Sequence, residues 1–241
     1  MAVIRADKFL SELGLASRRE AREIIRAGRL RSDGRCVASP DEKLDPDAQT
    51  VTLDGELLRY RKYRYFMMDK PAGVLTATED ARQKTVLDLL PPELQRLDLF
   101  PVGRLDKDTS GLLLLTNDGI FAHRVISPKS GVQKRYYAEV EGEPDAEDTR
   151  AFAEGLTLGD GTKCLPALLE PAGAGACYVT VMEGKYHQVK RMLASRGKPV
   201  LRLRRLSVGE LLLEADLGPG GWRELDENDL CKVLKPDLLG K

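Results

Sequence analysis

A run of four leucines at residues 112–115 constrains the fold of this 241-residue chain more than any other feature. Such a run predicts a strand that is buried on both faces, and the Asn-Asp-Gly sequence at 117–119 predicts the turn that ends it. The preceding segment, residues 103–111, is bounded by glycines and contains two acidic and two basic residues. Charges beside a buried strand are costly unless they are paired, so an Asp next to an Arg here indicates a functional site.

The same segment also fits an ordinary loop, because most acidic loop residues are merely solvated. Spacing alone does not distinguish Asp106, Asp108 and Asp118 as the functional carboxylate. The choice between them therefore needs motifs from elsewhere in the chain.

The composition is that of an ordinary globular protein, with 42% hydrophobic and 32% charged residues and no net charge. Overall charge therefore says nothing about nucleic acid binding, and only its distribution is informative. Four cysteines are scattered without a Cys-x-x-Cys pair, which indicates reduced thiols rather than a disulfide framework or a zinc site. No apolar segment is long enough for a signal peptide or a membrane span, so we expect a cytoplasmic protein with no membrane partner.

Residues 1–60 are predicted to form a separate small domain. Ser-Arg-Arg-Glu at 17–20 is a capping box, and it predicts a helix that ends at Gly28. Helical spacing places arginines on one face and apolar side chains on another. The arginines are Arg18, Arg22, Arg26 and Arg29, and the apolar residues are Ala21, Ile24 and Ile25.

Charge is polarised within this domain. Residues 17–35 contain seven arginines and three acidic residues, whereas residues 36–58 contain six acidic residues and one lysine. Asp-Gly pairs within 32–35 and 53–56 predict two tight hairpins. The basic helix and its hairpins resemble the S4-type RNA-binding domain. A solvated arginine face is the usual alternative, but the stripe lacks carboxylates at i+4, which favours RNA contacts at Arg18, Arg22 and Arg26. The adjacent Arg19 is predicted to contact RNA with them.

Residues 61–241 are predicted to form the second domain, after a linker of alternating cations and tyrosines at 59–65. Strands in runs with interspersed helices favour an α+β fold, a mixed and largely antiparallel sheet with flanking helices. The predicted strands are 65–68, 111–116, 135–141, 176–182, 200–206 and 210–214. The predicted helices are 85–90, 119–126, 147–154, 186–196 and 227–234, with a loop at 171–176 and a frayed tail at 235–241.

Three ordered blocks give the chain a family resemblance. They are Lys-Pro-Ala-Gly at 70–73, the segment 103–119 that begins Gly-Arg-Leu-Asp, and Glu-Gly-Lys-Tyr-His-Gln-Val-Lys-Arg-Met at 183–192. Together they resemble the pseudouridine synthases that modify ribosomal RNA. The resemblance implies an isomerase that needs no cofactor or metal, with Asp106 as the nucleophile.

The resemblance also implies roles for other residues. Arg104 corresponds to the arginine that holds the flipped nucleotide, and Lys190 to a basic residue that pairs with the catalytic Asp. Arg191 is the neighbouring alternative to Lys190 and is also predicted to contact RNA. Strand alternation points Tyr136 inward. The resemblance makes it the active-site tyrosine, although an isolated tyrosine is more often part of the core.

The strand at 200–206 alternates Leu with Arg and is predicted to have one buried face and one basic face. The basic face would place Arg202 and Arg204 in a second RNA contact.

Tyr-His-Gln at 186–188 resembles the small-subunit branch of these enzymes, which implies 16S ribosomal RNA or a small-subunit assembly intermediate as the substrate. The alternatives are the same reaction on 23S ribosomal RNA and a non-catalytic S4-type RNA-binding assembly factor. The sequence has no long heptad or exposed apolar stripe, so we expect a monomer.

Overall fold

A computed structural model describes residues 3–234, and the predicted tail at 235–241 lies outside them. The contacts divide the chain into two compact units. The N-terminal unit contains the described residues before Tyr65 together with Leu90–Leu99, and the larger unit contains Tyr65–Leu89 and the described residues from Phe100 onward.

The N-terminal unit contains short strands and three helices within the described residues. They are β1 (Ile4–Arg5), α1 (Ala6–Glu12), α2 (Arg18–Arg26), β2 (Leu30–Ser32), β3 (Arg35–Cys36), β4 (Lys43–Leu44), β5 (Val51–Leu53), β6 (Glu56–Leu57) and α3 (Pro92–Gln95). Four of the strands form a sheet in the order β3-β2-β5-β6, and β1 pairs with β4. Side chains from α1, α2 and these strands share one apolar core.

The predicted basic helix is confirmed as α2. The Ser17 hydroxyl accepts a hydrogen bond from the Glu20 backbone N–H at 3.3 Å, and Glu20 Oε2 accepts from the Ser17 N–H at 2.7 Å. Ala21 and Ile25 are buried on the core side. Gly28 follows the helix with φ of 70°, a conformation that suits a glycine.

Both predicted hairpins are confirmed. Asp33 and Gly34 have φ of 49° and 80°, and Asp54 and Gly55 have φ of 52° and 92°. Positive φ at both central residues is the geometry of a two-residue type I′ turn. The turns join β2 to β3 and β5 to β6.

The larger unit contains one extended sheet. Its elements are β7 (Tyr65–Lys70), β8 (Phe100–Pro101), β9 (Ser110–Thr116), α4 (Gly119–Ile126), β10 (Lys134–Val140), α5 (Ala146–Glu154), β11 (Leu168–Gly173), β12 (Ala176–Val181), α6 (Gln188–Ser195), β13 (Val200–Val208), β14 (Leu211–Leu212), β15 (Trp222–Glu224) and α7 (Glu227–Val233). The described strands follow the order β11-β12-β10-β13-β9-β7-β15, with β14 on β13 and β8 on β9. Only β9 and β13 pair in parallel among them, so the predicted α+β class with a largely antiparallel sheet is confirmed.

Strand β9 lies inside this sheet, and the leucines at 112–115 are at most 1% exposed. The strand is therefore buried on both faces, as predicted. At its start, a Cβ on Gly111 would lie 2.2 Å from the carbonyl oxygen of Arg205. Only glycine allows β9 to approach β13 this closely, and that approach fixes where the preceding loop ends.

Three smaller predictions are wrong. The helix expected at 85–90 is a single 3₁₀ turn at Leu87–Leu89. Asp88 accepts hydrogen bonds from the N–H and hydroxyl of Thr85, which closes one turn, and Pro91 disfavours continuation. Most of the loop expected at 171–176 belongs to β11 and β12, with only Ala174 and Gly175 between them. The strand expected at 210–214 is the two-residue β14.

The faces of β13 also differ from the prediction. Leu201 is 63% exposed, whereas Arg205 is 4% exposed and donates from Nε to the carbonyl oxygen of Leu112 at 2.7 Å. An irregularity in the pairing of β13 with β10 skips Leu206. This bulge lies after Arg205, which shares the buried face of Leu203 by simple alternation, whereas a second irregularity skips Leu201. A bulged residue leaves the regular alternation of faces, so the prediction is wrong for Leu201, and the Arg-Arg pair at 204–205 places one arginine on the buried face.

Candidate active site

The loop at 103–110, which includes the first residue of β9, joins β8 to β9 and is held through its backbone carbonyl oxygens. Gly103 and Gly111 flank it with φ of 74° and 105°. The Thr76 hydroxyl donates to the carbonyl oxygen of Leu105 at 2.7 Å, and the Gly73 N–H donates to that of Lys107 at 2.7 Å. The segment that contains the Lys-Pro-Ala-Gly motif therefore positions this loop.

Lys70 is the central contact beneath the loop. Its side chain is fully buried at the end of β7, and Nζ lies within hydrogen-bonding distance of four carbonyl oxygens. Three belong to the loop, those of Asp106 at 3.2 Å, Lys107 at 3.2 Å and Thr109 at 2.9 Å. Burial lowers the pKa of Lys70 to about 8, so at neutral pH the ammonium is mostly protonated and able to donate.

Asp106 projects from this loop toward helix α6. Its Oδ2 lies 3.1 Å from Lys190 Nζ, and its Oδ1 lies 3.4 Å from His187 Nε2. About a quarter of its side chain remains exposed. A half-buried carboxylate with a cation on one side and an imidazole on the other is suited to act as a nucleophile.

Lys190 contacts a second carboxylate, Asp108, with Nζ donating to Oδ1 at 2.5 Å. Burial lowers the pKa of Lys190, but the hydrogen bonds to Asp108 and Asp106 outweigh it and raise that pKa overall. The hydrogen bond from Lys190 lowers the pKa of Asp108. Lys190 therefore remains a cation beside Asp106, as the sequence resemblance implied.

A pocket with an empty volume of about 440 Å³ lies beside Asp106, and Arg104 and Tyr136 both line it. The Tyr136 ring packs against the neighbouring apolar cluster. Neither the Arg104 guanidinium nor the Tyr136 hydroxyl has a hydrogen bond or ion pair with any residue between 3 and 234. Both polar groups are thus available to a ligand in the pocket.

The segment 183–188 forms the other wall of the pocket. Glu183 is buried, and its Oε1 accepts from the Leu165 N–H and from Gln188 Nε2, both at 2.9 Å. Gln188 Oε1 in turn accepts from the Lys185 N–H at 3.0 Å. These bonds fix the turn that leads into α6 and so the position of Lys190.

Three other predicted RNA-binding residues of this unit are engaged in ion pairs. Arg191 lies 2.5 Å from Asp160, Arg202 lies 3.7 Å from Glu139, and Arg204 lies 2.8 Å from Asp69. Because Leu203 lines the pocket, its neighbours Arg202 and Arg204 project from the opposite face of the sheet. The structure therefore brings Arg104, Asp106, Tyr136 and Lys190 together, but not these three.

The remaining predicted RNA-binding residues lie on α2 in the N-terminal unit. Arg22 lies 3.5 Å from the buried Asp7, and Arg19 lies 3.9 Å from Glu23 at i+4. Arg18 and Arg26 are exposed and have no ion pair within the described part of the chain. Arg22 has no carboxylate at i+4, as the sequence indicated, but Asp7 on α1 supplies a partner that the spacing does not show. Arg29 lies beyond the helix and pairs with Asp54.

Two residues of the site were not assigned a role from the sequence. Lys70 was noted only as part of a motif, although a lysine at the end of an apolar strand needs buried partners and so gives a signal. His187 was used only to choose a branch of the family. Its contact with Asp106 depends on the left-handed backbone of His187, with φ of 48°, which no sequence pattern indicates.

No group of three or more His, Cys, Asp or Glu side chains suited to a metal ion occurs within residues 3–234. Over the same residues, no helix has the length and apolar character needed to cross a bilayer.

The profile of the RNA pseudouridylate synthase family matches residues 64–195, and that of the S4 domain matches residues 4–49. The first match includes the loop at 103–110, all of α6 and every residue lining the pocket except Leu203. The chain belongs to the RNA pseudouridylate synthase family, and it carries an S4 domain in front of the synthase domain.

Particular relatives resemble the chain over nearly its whole length. It is 46% identical to an uncharacterised RNA pseudouridine synthase of Bacillus subtilis, over 97% of this chain and 99% of that protein. It is 43% identical to the ribosomal small subunit pseudouridine synthase A of Pseudomonas aeruginosa, over 95% of this chain and 100% of that protein. A crystal structure of a pseudouridylate synthase matches with a TM-score of 0.68 at 33% identity, covering 96% of this chain and 100% of that one. The family predicted from the three sequence blocks is confirmed.

Proposed function

We propose that this protein isomerises a specific uridine to pseudouridine in small-subunit (16S) ribosomal RNA, with Asp106 as the nucleophile. The observation that supports the proposal most directly is the Asp106 carboxylate between Lys190 and His187 at the edge of a pocket. The small-subunit substrate is supported by the name of the relative from Pseudomonas aeruginosa and by Tyr-His-Gln at 186–188.

The reaction breaks the bond between N1 of uracil and C1′ of ribose, turns the base, and joins C5 to C1′. The proton on C5 is released, and N1 gains a proton. A carboxylate is a suitable nucleophile because it adds covalently and leaves again.

The pocket residues have separate tasks in this proposal. A uridine must first leave its base stack, at a cost of a few kcal/mol in typical cases. The unpaired guanidinium of Arg104 binds the backbone of the flipped nucleotide, since its planar donors fit phosphate. The Tyr136 ring stacks on the uracil, and its free hydroxyl assists proton transfer at C5. Lys190 keeps a positive charge beside the carboxylate.

The N-terminal domain, residues 1–60, supplies a second RNA contact through α2, and the catalytic domain spans 61–241. We propose that the protein acts in the cytoplasm as a monomer on 16S RNA or a small-subunit assembly intermediate. The sequence argument for a monomer was the lack of an exposed apolar stripe. The structure supports it on α2, where Ala21 and Ile25 are buried and the outer face carries arginines.

The test is tritium release from C5-labelled uridine in 16S and 23S transcripts and in assembly particles, since C5 loses its hydrogen in the reaction. The native protein should release tritium from 16S RNA alone, and Asp106→Asn should release none while its RNA binding stays nearly intact. Residual turnover above a few per cent in the variant would refute the assignment of Asp106 as nucleophile.

Other outcomes identify the alternatives. Release from 23S RNA would assign the large-subunit substrate with the same chemistry. Binding without release from any substrate would leave a non-catalytic assembly factor.

A further inference from the structure

Tyr186 and His187 form a stacked pair of rings next to the pocket. Their centroids are 3.9 Å apart and their planes differ by 17°. Tyr186 is 75% exposed, the largest fraction among the exposed large hydrophobic side chains of the described residues. One face of the tyrosine ring therefore rests on the imidazole, and the other is open to a ligand.

A single exposed tyrosine is common and needs no functional explanation. This one differs because the ring beneath it touches the nucleophile, with His187 Nε2 at 3.4 Å from Asp106 Oδ1. The imidazole of His187 thus contacts both the tyrosine ring and the reacting carboxylate. These two direct contacts set the distance between the Tyr186 ring and Asp106.

The backbone beneath the pair is also fixed before any RNA binds. His187 has φ of 48°, in the left-handed region that residues with side chains rarely adopt. The buried Glu183 and Gln188 hold the turn on both sides through their mutual hydrogen bond at 2.9 Å. Arg191 donates to the carbonyl oxygen of Tyr186 at 3.4 Å. A ring held this way loses little further freedom on binding.

We propose that the open face of Tyr186 stacks on the base next to the flipped uridine. Extrusion of the uridine removes one stacking partner from that neighbouring base. An aromatic ring can replace this partner whatever the identity of the neighbouring base. His187 sets the distance between this platform and Asp106. The inference rests on the proposed function, because it requires an RNA substrate with a flipped uridine.

The experiment compares Tyr186→Leu and Tyr186→Phe in the tritium-release assay. Leucine keeps apolar bulk but removes the aromatic face, so KM should rise roughly tenfold while kcat stays within about twofold. Phenylalanine keeps the face and should retain the native KM. Leu212→Ala is the matched control, since Leu212 is 66% exposed on the short strand β14 outside the site.

A second readout reports the stack directly. Once the modified uridine is mapped, 2-aminopurine is placed on either side of it and bound to the unreactive Asp106→Asn protein. Its fluorescence should fall on binding, and adding Tyr186→Leu should remove that fall.

Three results would overturn the inference while native activity remains. They are an unchanged KM in Tyr186→Leu, a defect of equal size in Tyr186→Phe, and a loss of kcat with a lower urea midpoint, which would indicate a merely structural role. Absence of release by the native protein would instead count against the proposed function itself.

Discussion

The loop at 103–110 and helix α2 are both short segments with several charges, but they hold those charges differently. In the loop, Asp106 contacts Lys190 and His187, and the backbone beneath it accepts hydrogen bonds from the buried Lys70. On α2, Arg18 and Arg26 extend into solvent with no ion-pair partner among the described residues. A carboxylate that reacts with one atom of a substrate must be held in a fixed position. Attraction to RNA phosphates requires only positive charges near them.

Replacing Lys70 with methionine should have the largest effect of any change outside Asp106. The substitution leaves buried carbonyl oxygens of the loop without a donor, which should lower the free energy of unfolding by about 2–4 kcal/mol. Urea denaturation measures this loss, and single-turnover tritium release should fall with it. Native stability together with native activity would show that the loop does not depend on Lys70.

Removing the charge of Lys190 should have the next largest effect. Lys190→Met takes the cation from beside Asp106 and should slow single-turnover conversion by roughly tenfold to a hundredfold. Asp108→Asn is the matched control, because Asp108 contacts the same ammonium but its side chain is 76% exposed. It should change the rate by less than about threefold. Equal defects in the two variants would mean that the lysine acts on the whole loop rather than on Asp106.

The loop should also respond to pH through Lys70. Its pKa is about 8 in the fold and 10.5 ordinarily, so as pH rises between these values Lys70 itself makes folding more favourable. Activity should nevertheless fall by roughly tenfold one pH unit above 8, as the ammonium loses a proton and the loop loses a donor. Single-turnover rates and urea midpoints from pH 7 to 9.5 separate the two effects. A flat rate, or a rate that falls only as the protein unfolds, would contradict this prediction.

Changes on α2 should have the smallest effect and leave catalysis intact. The double substitution Arg18→Gln and Arg26→Gln should weaken RNA binding roughly fivefold for all sequences and reduce the salt slope by about one per arginine. Filter binding over a range of salt concentrations measures both. Arg22→Gln provides a contrast, because it removes a partner of the buried Asp7 and should also lower the urea midpoint. Unchanged affinity in the double variant would exclude α2 from the RNA contact.

Local sequence was sufficient where neighbouring residues determine the structure. The capping box predicts α2, the Asp-Gly turns predict two hairpins, and the four leucines predict the buried strand β9. Resemblance to a family, rather than residue spacing, predicted that one site contains Asp106, Arg104, Tyr136 and Lys190. Spacing alone did not distinguish which of Asp106, Asp108 and Asp118 is the functional carboxylate.

What the sequence did not reveal depends on contacts between distant residues. The carbonyl oxygens that Lys70 contacts in the loop lie 36 to 39 positions away. The irregularity in β13 at the exposed Leu201 arises in its pairing with β10. The partner of Arg22 lies on another helix, at Asp7. In each case the contact that determines the structure comes from a residue distant in sequence, so neighbouring residues do not indicate it.

The position of Lys70 at the end of β7 joins the loop at 103–110 to the interior of the sheet, because β7 lies between β9 and the edge strand β15. Strands β7 and β9 pair from Tyr65 to Lys70, and the same lysine contacts the loop that contains Asp106. We therefore expect the loop to unfold together with the sheet as one cooperative unit. On heating, activity and the sheet should be lost in a single transition. No folded but inactive protein should accumulate at lower temperatures.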